Sequence, residues 1–99
     1  MTVTGSSFLN TNGIDPMDGI DIEPDKGNVI NNLTISNCKF IKNDNAGVEF
    51  ATKRGKVTKT KVVNCTFSGN GVTIKSNTFS WYQNVLQDLG MYNPTSISI

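Results

Sequence analysis

Histidine is absent from the chain. That removes Ser-His-Asp and Cys-His catalysis and every His-ligated metal site. Any chemistry then falls to carboxylates, lysines, tyrosines and the lone arginine, Arg54. Leucine and alanine are scarce, at 4 and 2 residues, against 17 isoleucines and valines together. β-Branched side chains favour a pleated backbone and Leu and Ala favour helix, so the balance argues against a helical bundle. No run approaches the ~18 consecutive apolar residues of a transmembrane helix. The first residues, Met1-Thr2-Val3-Thr4, carry neither the charged nor the apolar region of a secretory leader. Net charge is only +1, which argues against general nucleic-acid affinity.

What is present points to strands and corners. The 99 residues, with 13 Asn and 11 Thr, bound the chain to one domain at most. Charge is unevenly spread. Five of the eight acids lie between Asp15 and Asp25, and five of the nine bases lie between Lys53 and Lys61.

Three segments superimpose without gaps: Val3-Thr4-Gly5-Ser6-Ser7-Phe8, Ile35-Ser36-Asn37-Cys38-Lys39-Phe40 and Val62-Val63-Asn64-Cys65-Thr66-Phe67. The second and third share aliphatic-x-Asn-Cys-x-Phe at a spacing of 27 residues, and the first precedes the second by 32. Each is followed by a polar loop and a second match: Gly19-Ile20-Asp21-Ile22-Glu23, Gly47-Val48-Glu49-Phe50-Ala51 and Gly71-Val72-Thr73-Ile74-Lys75. The alternation of apolar and polar residues is the period-2 signature of strands with one buried face. A unit of roughly 24–32 residues cannot bury such a face alone, whereas stacked units can, which predicts a parallel β-solenoid. Equivalent residues should form inward columns about 4.8 Å apart. The expected columns are Phe8/Phe40/Phe67, Ser6/Cys38/Cys65, Ile20/Val48/Val72 and Ile22/Phe50/Ile74. Gly5, Asn37 and Asn64 are expected in a bend, where Gly and Asn tolerate left-handed backbone. A third strand set is expected at Val29-Ile30 and Val57-Thr58, with Leu33 and Thr60 near the next corner.

The aliphatic-x-Asn-Cys-x-Phe pattern, a polar loop and then Gly-Ile-Asp-Ile-Glu-Pro at 19–24 resemble the right-handed parallel β-helix, or pectate lyase-like, superfamily. Pectate lyases, polygalacturonases, alginate-modifying enzymes and phage tailspikes belong to it. The resemblance covers about residues 1–75 and implies an all-β, right-handed parallel β-helix of about three coils. It implies a polysaccharide partner, an extracellular or virion-surface location and, on the tailspike side, a homotrimer. The His-containing motifs of polygalacturonases and lyases are missing from this chain.

Residues 76–99 are expected to form a C-terminal cap. Ser80-Trp81-Tyr82-Gln83 has the form of a capping box, and Trp81, Val85, Leu86 and Leu89 share one helical face, so the spacing predicts a capping helix over about 81–89. A short strand is expected over 95–99. Three coils with one bare end read as a piece of a longer β-helix.

Chemistry concentrates at residues 11–25. With Ile20 and Ile22 inward, Asp21 and Glu23 point outward, Glu49 aligns with Asp21 one coil later, and Asp18 lies three residues before Asp21. Close like charges are destabilising, and such a cluster can hold one acid protonated while another stays ionised. Asp18, Asp21, Glu23 and Glu49 are therefore the candidate catalytic residues for glycoside hydrolysis, with Asp21 and Glu49 as the working pair. The same region could instead hold Ca²⁺ through Asp21, Glu23 and Asp25; no other cofactor is indicated. The resemblance to pectate lyases implies a Ca-dependent lyase with Arg54 as base as a further alternative, and a non-catalytic glycan-binding or structural module is another. Lys53, Arg54 and Tyr82 are candidate glycan ligands, the cations either meeting an anionic polysaccharide or pairing with the acidic loop near Pro24. Cys38 and Cys65 are expected as buried thiols stacked in the core.

Overall fold

Short runs with alternating apolar residues form strands of three to five residues, each ended by a corner. The computed structural model describes residues 1–14, 17–76 and 96–98. In chain order the strands are β1 (Thr2–Thr4), β2 (Ser7–Leu9), β3 (Ile20–Ile22), β4 (Val29–Asn31), β5 (Thr34–Ser36) and β6 (Lys39–Ile41). They continue with β7 (Ala46–Phe50), β8 (Lys56–Thr58), β9 (Lys61–Val63), β10 (Thr66–Ser68), β11 (Val72–Ser76) and β12 (Ser96–Ser98). The fold is all-β, and among the described residues there is no helix. The expected helix over 81–89 lies outside the described residues.

Successive repeats stack in register. Three parallel sheets form, β1-β5-β9, β2-β6-β10 and β3-β7-β11, and a parallel pair, β4-β8, makes a fourth side. Strand β12 joins the first sheet beside β9, but antiparallel. Among the described residues each repeat thus contributes one strand to each of the three larger sheets, the first two repeats add the fourth side, and each repeat pairs with its neighbours in the stack.

The core follows the expected columns with one exception. Phe8 faces Phe40, which faces Phe67. Their rings stack with centroids 5.2 and 4.9 Å apart and interplanar angles of 9° and 11°. Around this stack lie Ile35, Val48, Phe50, Val62 and Ile74, all essentially without solvent contact. The exception is the third repeat. Ile74 pairs with Val48 and Val72 with Ala46, two residues out of the expected Val48/Val72 and Phe50/Ile74 alignment. A two-residue slip keeps every side chain on its own face, so the alternating pattern cannot detect it. The corner decides it, because Phe67 to Ile74 spans 7 positions and Phe40 to Val48 spans 8, a near-equal path around the same bend.

Corners repeat as regularly as strands. Gly5, Asn37 and Asn64 have φ of 63°, 53° and 51°, the left-handed conformation anticipated for that column. Two further columns share it: Asn10, Lys42 and Gly69 at 57°, 56° and 68°, and Asn32 and Lys59 at 59° and 48°. Within a repeat these positions are spaced by five residues, as in Asn32, Asn37 and Lys42. Lysine at two of them goes against its intrinsic preference.

A buried polar ladder ties one corner together. Asn43, 1% exposed, accepts from the Thr11 amide at 3.1 Å and donates to the Phe8 carbonyl at 3.1 Å. Its backbone and side-chain N–H groups both donate to Asn70 Oδ1, at 3.0 and 2.9 Å. Asn70 in turn donates to the Phe40 carbonyl at 2.9 Å. Cys38 and Cys65 are buried free thiols in equivalent positions, and each donates to the carbonyl two residues before it. Burial, chiefly, pushes the Cys65 thiol above its ordinary pKa; backbone hydrogen bonds at Cys38 and Val63 oppose the shift, and the Cys38 thiol adds to it.

Candidate functional site

The sheet β3-β7-β11 carries the acidic cluster. Asp21 on β3 faces Glu49 on β7, so two carboxylates from successive repeats stand on the outer side of adjacent strands. The segment before β3 brings in the third. Gly19 donates to the Ala46 carbonyl at 2.9 Å, and the Asn45 amide donates to the Met17 carbonyl at 3.0 Å. Asp18 completes this edge with its side chain, Oδ1 accepting from the Ala46 amide at 2.7 Å. One carboxylate oxygen from each of Asp18, Asp21 and Glu49 lies within 4.8 Å of the other two.

Gly19 makes this approach possible. A Cβ there would stand 2.6 Å from the Gly47 carbonyl oxygen and 2.8 Å from Phe40 Cδ1. Both are contacts that real side chains essentially never make, so only glycine lets the chain lie this close to β7. Asp18 is therefore held over the sheet rather than in a solvated loop.

Burial within the cluster is unequal. Asp21 is exposed, while Asp18 and Glu49 are only 8% and 7% exposed. Glu49 aligns with Asp21 across the sheet, as the repeat predicts, but it is covered where Asp21 is not. Asn45, which the sequence reading did not single out, donates from Nδ2 to Glu49 Oε2 at 3.2 Å. Asp18 Oδ2 is buried and has no hydrogen-bond partner among the described residues. Two like charges ~4.8 Å apart at an effective dielectric of about 20 repel by about 3 kcal/mol, less where water screens Asp21. The Ala46 and Asn45 donors offset part of that repulsion.

Glu23 and Asp25 stand outside the cluster. Both are exposed and follow the end of β3. Same-face residues along one strand are about 6.6 Å apart, whereas facing residues on neighbouring strands are about 4.8 Å apart. Carboxylates therefore converge across repeats more readily than along one. Asp25 meets Arg54 at 3.8 Å, both side chains mostly in solvent. This is the pairing of basic and acidic loops anticipated as one role for Arg54.

Lys53, Arg54 and Lys56 line an open groove of about 560 Å³ with Gly27, Asn28, Val29, Thr52 and Gly55. Tyr82 lies outside the described residues. No family model, curated protein or solved structure matches the chain. Function therefore has to be argued from the site itself.

Proposed function

We propose that the stacked repeats are a segment of a right-handed parallel β-helix protein directed at a polysaccharide, which hydrolyses glycosidic bonds through Asp21 and Glu49. The observation that carries this reading is the pairing of these two carboxylates across adjacent strands, with Asp18 in the same cluster. Oxygens within 4.8 Å lie nearer the ~5–5.5 Å of retaining glycosidases than the ~6.5–9.5 Å of inverting ones. Exposed Asp21 is the acid a sugar meets first, and it divides the proton-donor and nucleophile roles with Glu49. Glu49, oriented by Asn45, supplies the second carboxylate, and Asp18 tunes the pair by its charge. Glu23 stands at the margin. The groove of Lys53, Arg54 and Lys56 favours an anionic polymer by charge complementarity, and an extracellular or virion-surface trimer is the setting that goes with this reading.

The burial of Asp18 and Glu49 favours a second reading. A polymer that reaches only Asp21 would be bound without being cut, by a non-catalytic glycan-binding module. Incubation with a panel of acidic and neutral polysaccharides separates the two. New reducing ends that vanish in Asp21→Asn and Glu49→Gln support hydrolysis. Unsaturated-uronate absorbance would move the assignment to a lyase. Retained binding with no new ends would sink the catalytic claim.

A further inference from the structure

Three dipeptides in this chain place an Asx side chain directly before a glycine: Asn12-Gly13, Asp18-Gly19 and Asn70-Gly71. The backbone nitrogen of such a glycine can attack the side-chain carbonyl before it, because no Cβ crowds the approach. We infer that Asn12 is a site of spontaneous modification, converted through a cyclic imide with Gly13 to aspartate and isoaspartate, while the fold locks the other two pairs. The inference is independent of the glycan reading and needs neither a sugar nor a second protein.

The contrast among the three pairs carries it. Ring closure needs a free glycine nitrogen, a side chain that can turn, and room around both. At Asp18-Gly19 all three are denied. Gly19 donates to the Ala46 carbonyl at 2.9 Å, Asp18 Oδ1 is held by the Ala46 amide at 2.7 Å, and the Gly47 carbonyl oxygen crowds the glycine. Asn70-Gly71 is held in the same way. Gly71 donates to the Asn43 carbonyl at 3.0 Å, and Asn70 is fixed at both ends of its amide by Asn43 and the Phe40 carbonyl.

Asn12-Gly13 is the reverse on each count. Both residues are exposed, and Ile14 beside them is 94% exposed. A Cβ on Gly13 would meet nothing within 4 Å. The Gly13 amide donates no hydrogen bond among the described residues. Asn12 Nδ2 makes one exposed bond, to the Asn10 carbonyl at 3.2 Å, which leaves Cγ open to attack. Gly13 has φ of 111°, a conformation that disfavours any side chain there.

The step balances with water as the only co-reactant. The Gly13 nitrogen bonds to Asn12 Cγ and gives up its proton, and the side-chain amide leaves as ammonia. Water then opens the imide. Cleavage of the new Cγ–N bond gives aspartate, and cleavage of the original peptide bond gives isoaspartate, with a methylene inserted into the main chain. Either product takes the formal net charge from +1 to 0. The inserted methylene falls beside Thr11, whose amide and carbonyl tie this loop to Asn43 Oδ1 at 3.1 Å and to the Asp44 amide at 2.9 Å.

The test ages the full chain in warm, mildly alkaline buffer, with and without concentrated urea. Trypsin then places Asn12 and Asn70 on separate peptides, 1–26 and 62–75, and mass spectrometry follows the exchange of NH₂ for OH in each. In the folded protein Asn12 should convert at least about tenfold faster than Asn70, which reacts only from a locally opened state; tenfold corresponds to about 1.4 kcal/mol of opening. In urea the two Asn-Gly pairs should convert at similar rates. Asn12→Gln, whose ring closure would need a larger ring, should abolish the change in peptide 1–26. Isoaspartate at residue 12 should appear by carboxyl methylation with an isoaspartate-specific methyltransferase. Equal rates for Asn12 and Asn70 in the folded protein would overturn the inference. A change in peptide 1–26 that persists in Asn12→Gln would overturn the assignment to Asn12. Aspartate without isoaspartate would overturn the cyclic step.

Discussion

Gly19→Ala tests whether the close approach of the loop to β7 holds the cluster together. Two effects oppose each other. Gly19 is not in the left-handed region, so alanine fits its backbone and should stabilise by about 0.4–1 kcal/mol by restricting the unfolded chain. Against that, the added methyl would stand 2.6 Å from the Gly47 carbonyl oxygen, 2.8 Å from Phe40 Cδ1 and 3.2 Å from Asn43 Nδ2. The first of these neighbours is backbone, and the other two side chains are fixed in the ring stack and the amide ladder. Overpacking of that kind costs about 1–3 kcal/mol. If the loop lifts to relieve it, the Asp18–Ala46 bond to a charged acceptor is lost, at about 1.5–3 kcal/mol. The costs outweigh the gain, so a net loss of about 1–3 kcal/mol is expected, out of a total of about 5–15 kcal/mol for a chain of this size. Urea unfolding followed by circular dichroism measures it directly, as a lower midpoint at unchanged slope. A variant as stable as the unsubstituted protein would refute the close approach, and with it the placement of Asp18.

Other outcomes follow from the core and the loops. Phe40→Ala, at the centre of the ring stack with neighbours on both sides, should cost about 3–5 kcal/mol. Phe8→Ala, half-buried with one stacked neighbour, should cost about 2 kcal/mol, and equal losses in urea unfolding would contradict the stacking order. The raised pKa of Cys65 means that the unfolded thiol ionises first, from about 9.0. Stability from this group is therefore full below pH 9 and lost as pH rises through the higher folded value, with a slope of at most about 1.4 kcal/mol per pH unit. Cys65→Ala should flatten that part of a pH–Tm profile. Arg54→Ala breaks a solvent-exposed pair and should change stability by less than about 0.5 kcal/mol. The same change should weaken retention of an anionic polysaccharide in affinity electrophoresis, most visibly at low salt.

The columns were legible because each rests on a local pattern that recurs. The phenylalanine stack, the paired cysteines and the Gly5/Asn37/Asn64 bend all follow from aligning one hexapeptide with itself. The pairing of Asp21 with Glu49 came from the same alignment. What stayed hidden depends on distance across the fold. The slip of β11 preserves side-chain parity, so Ile74 is inward in either register. Lys42 and Lys59 adopt left-handed corners that nothing in a lysine advertises; only their five-residue spacing from Asn37 and Asn64 does. Asn43 is one of 13 asparagines, and its burial emerges only when Asn70 and the Phe8 carbonyl are seen beside it. Asp18 was expected near the cluster, but its burial needed the contact of Gly19 with Gly47 and Phe40, a tertiary fact. Gly19 and Gly47 align in the repeat, and that alignment was the available hint.

The regular corners also make the molecule extensible. Asn37 and Asn64 occupy the same left-handed corner 27 residues apart, and each repeat touches only the repeats beside it. A tandem copy of residues 38–64 would thus begin and end at a backbone conformation the chain already adopts, and would lengthen the stack by about 4.8 Å. It would set a fourth phenylalanine on the ring stack and a second Glu49 beside the first. Growth by whole-repeat duplication is open to such a chain because the junction costs nothing new in geometry. Each added layer would also carry one more carboxylate along the same outer edge.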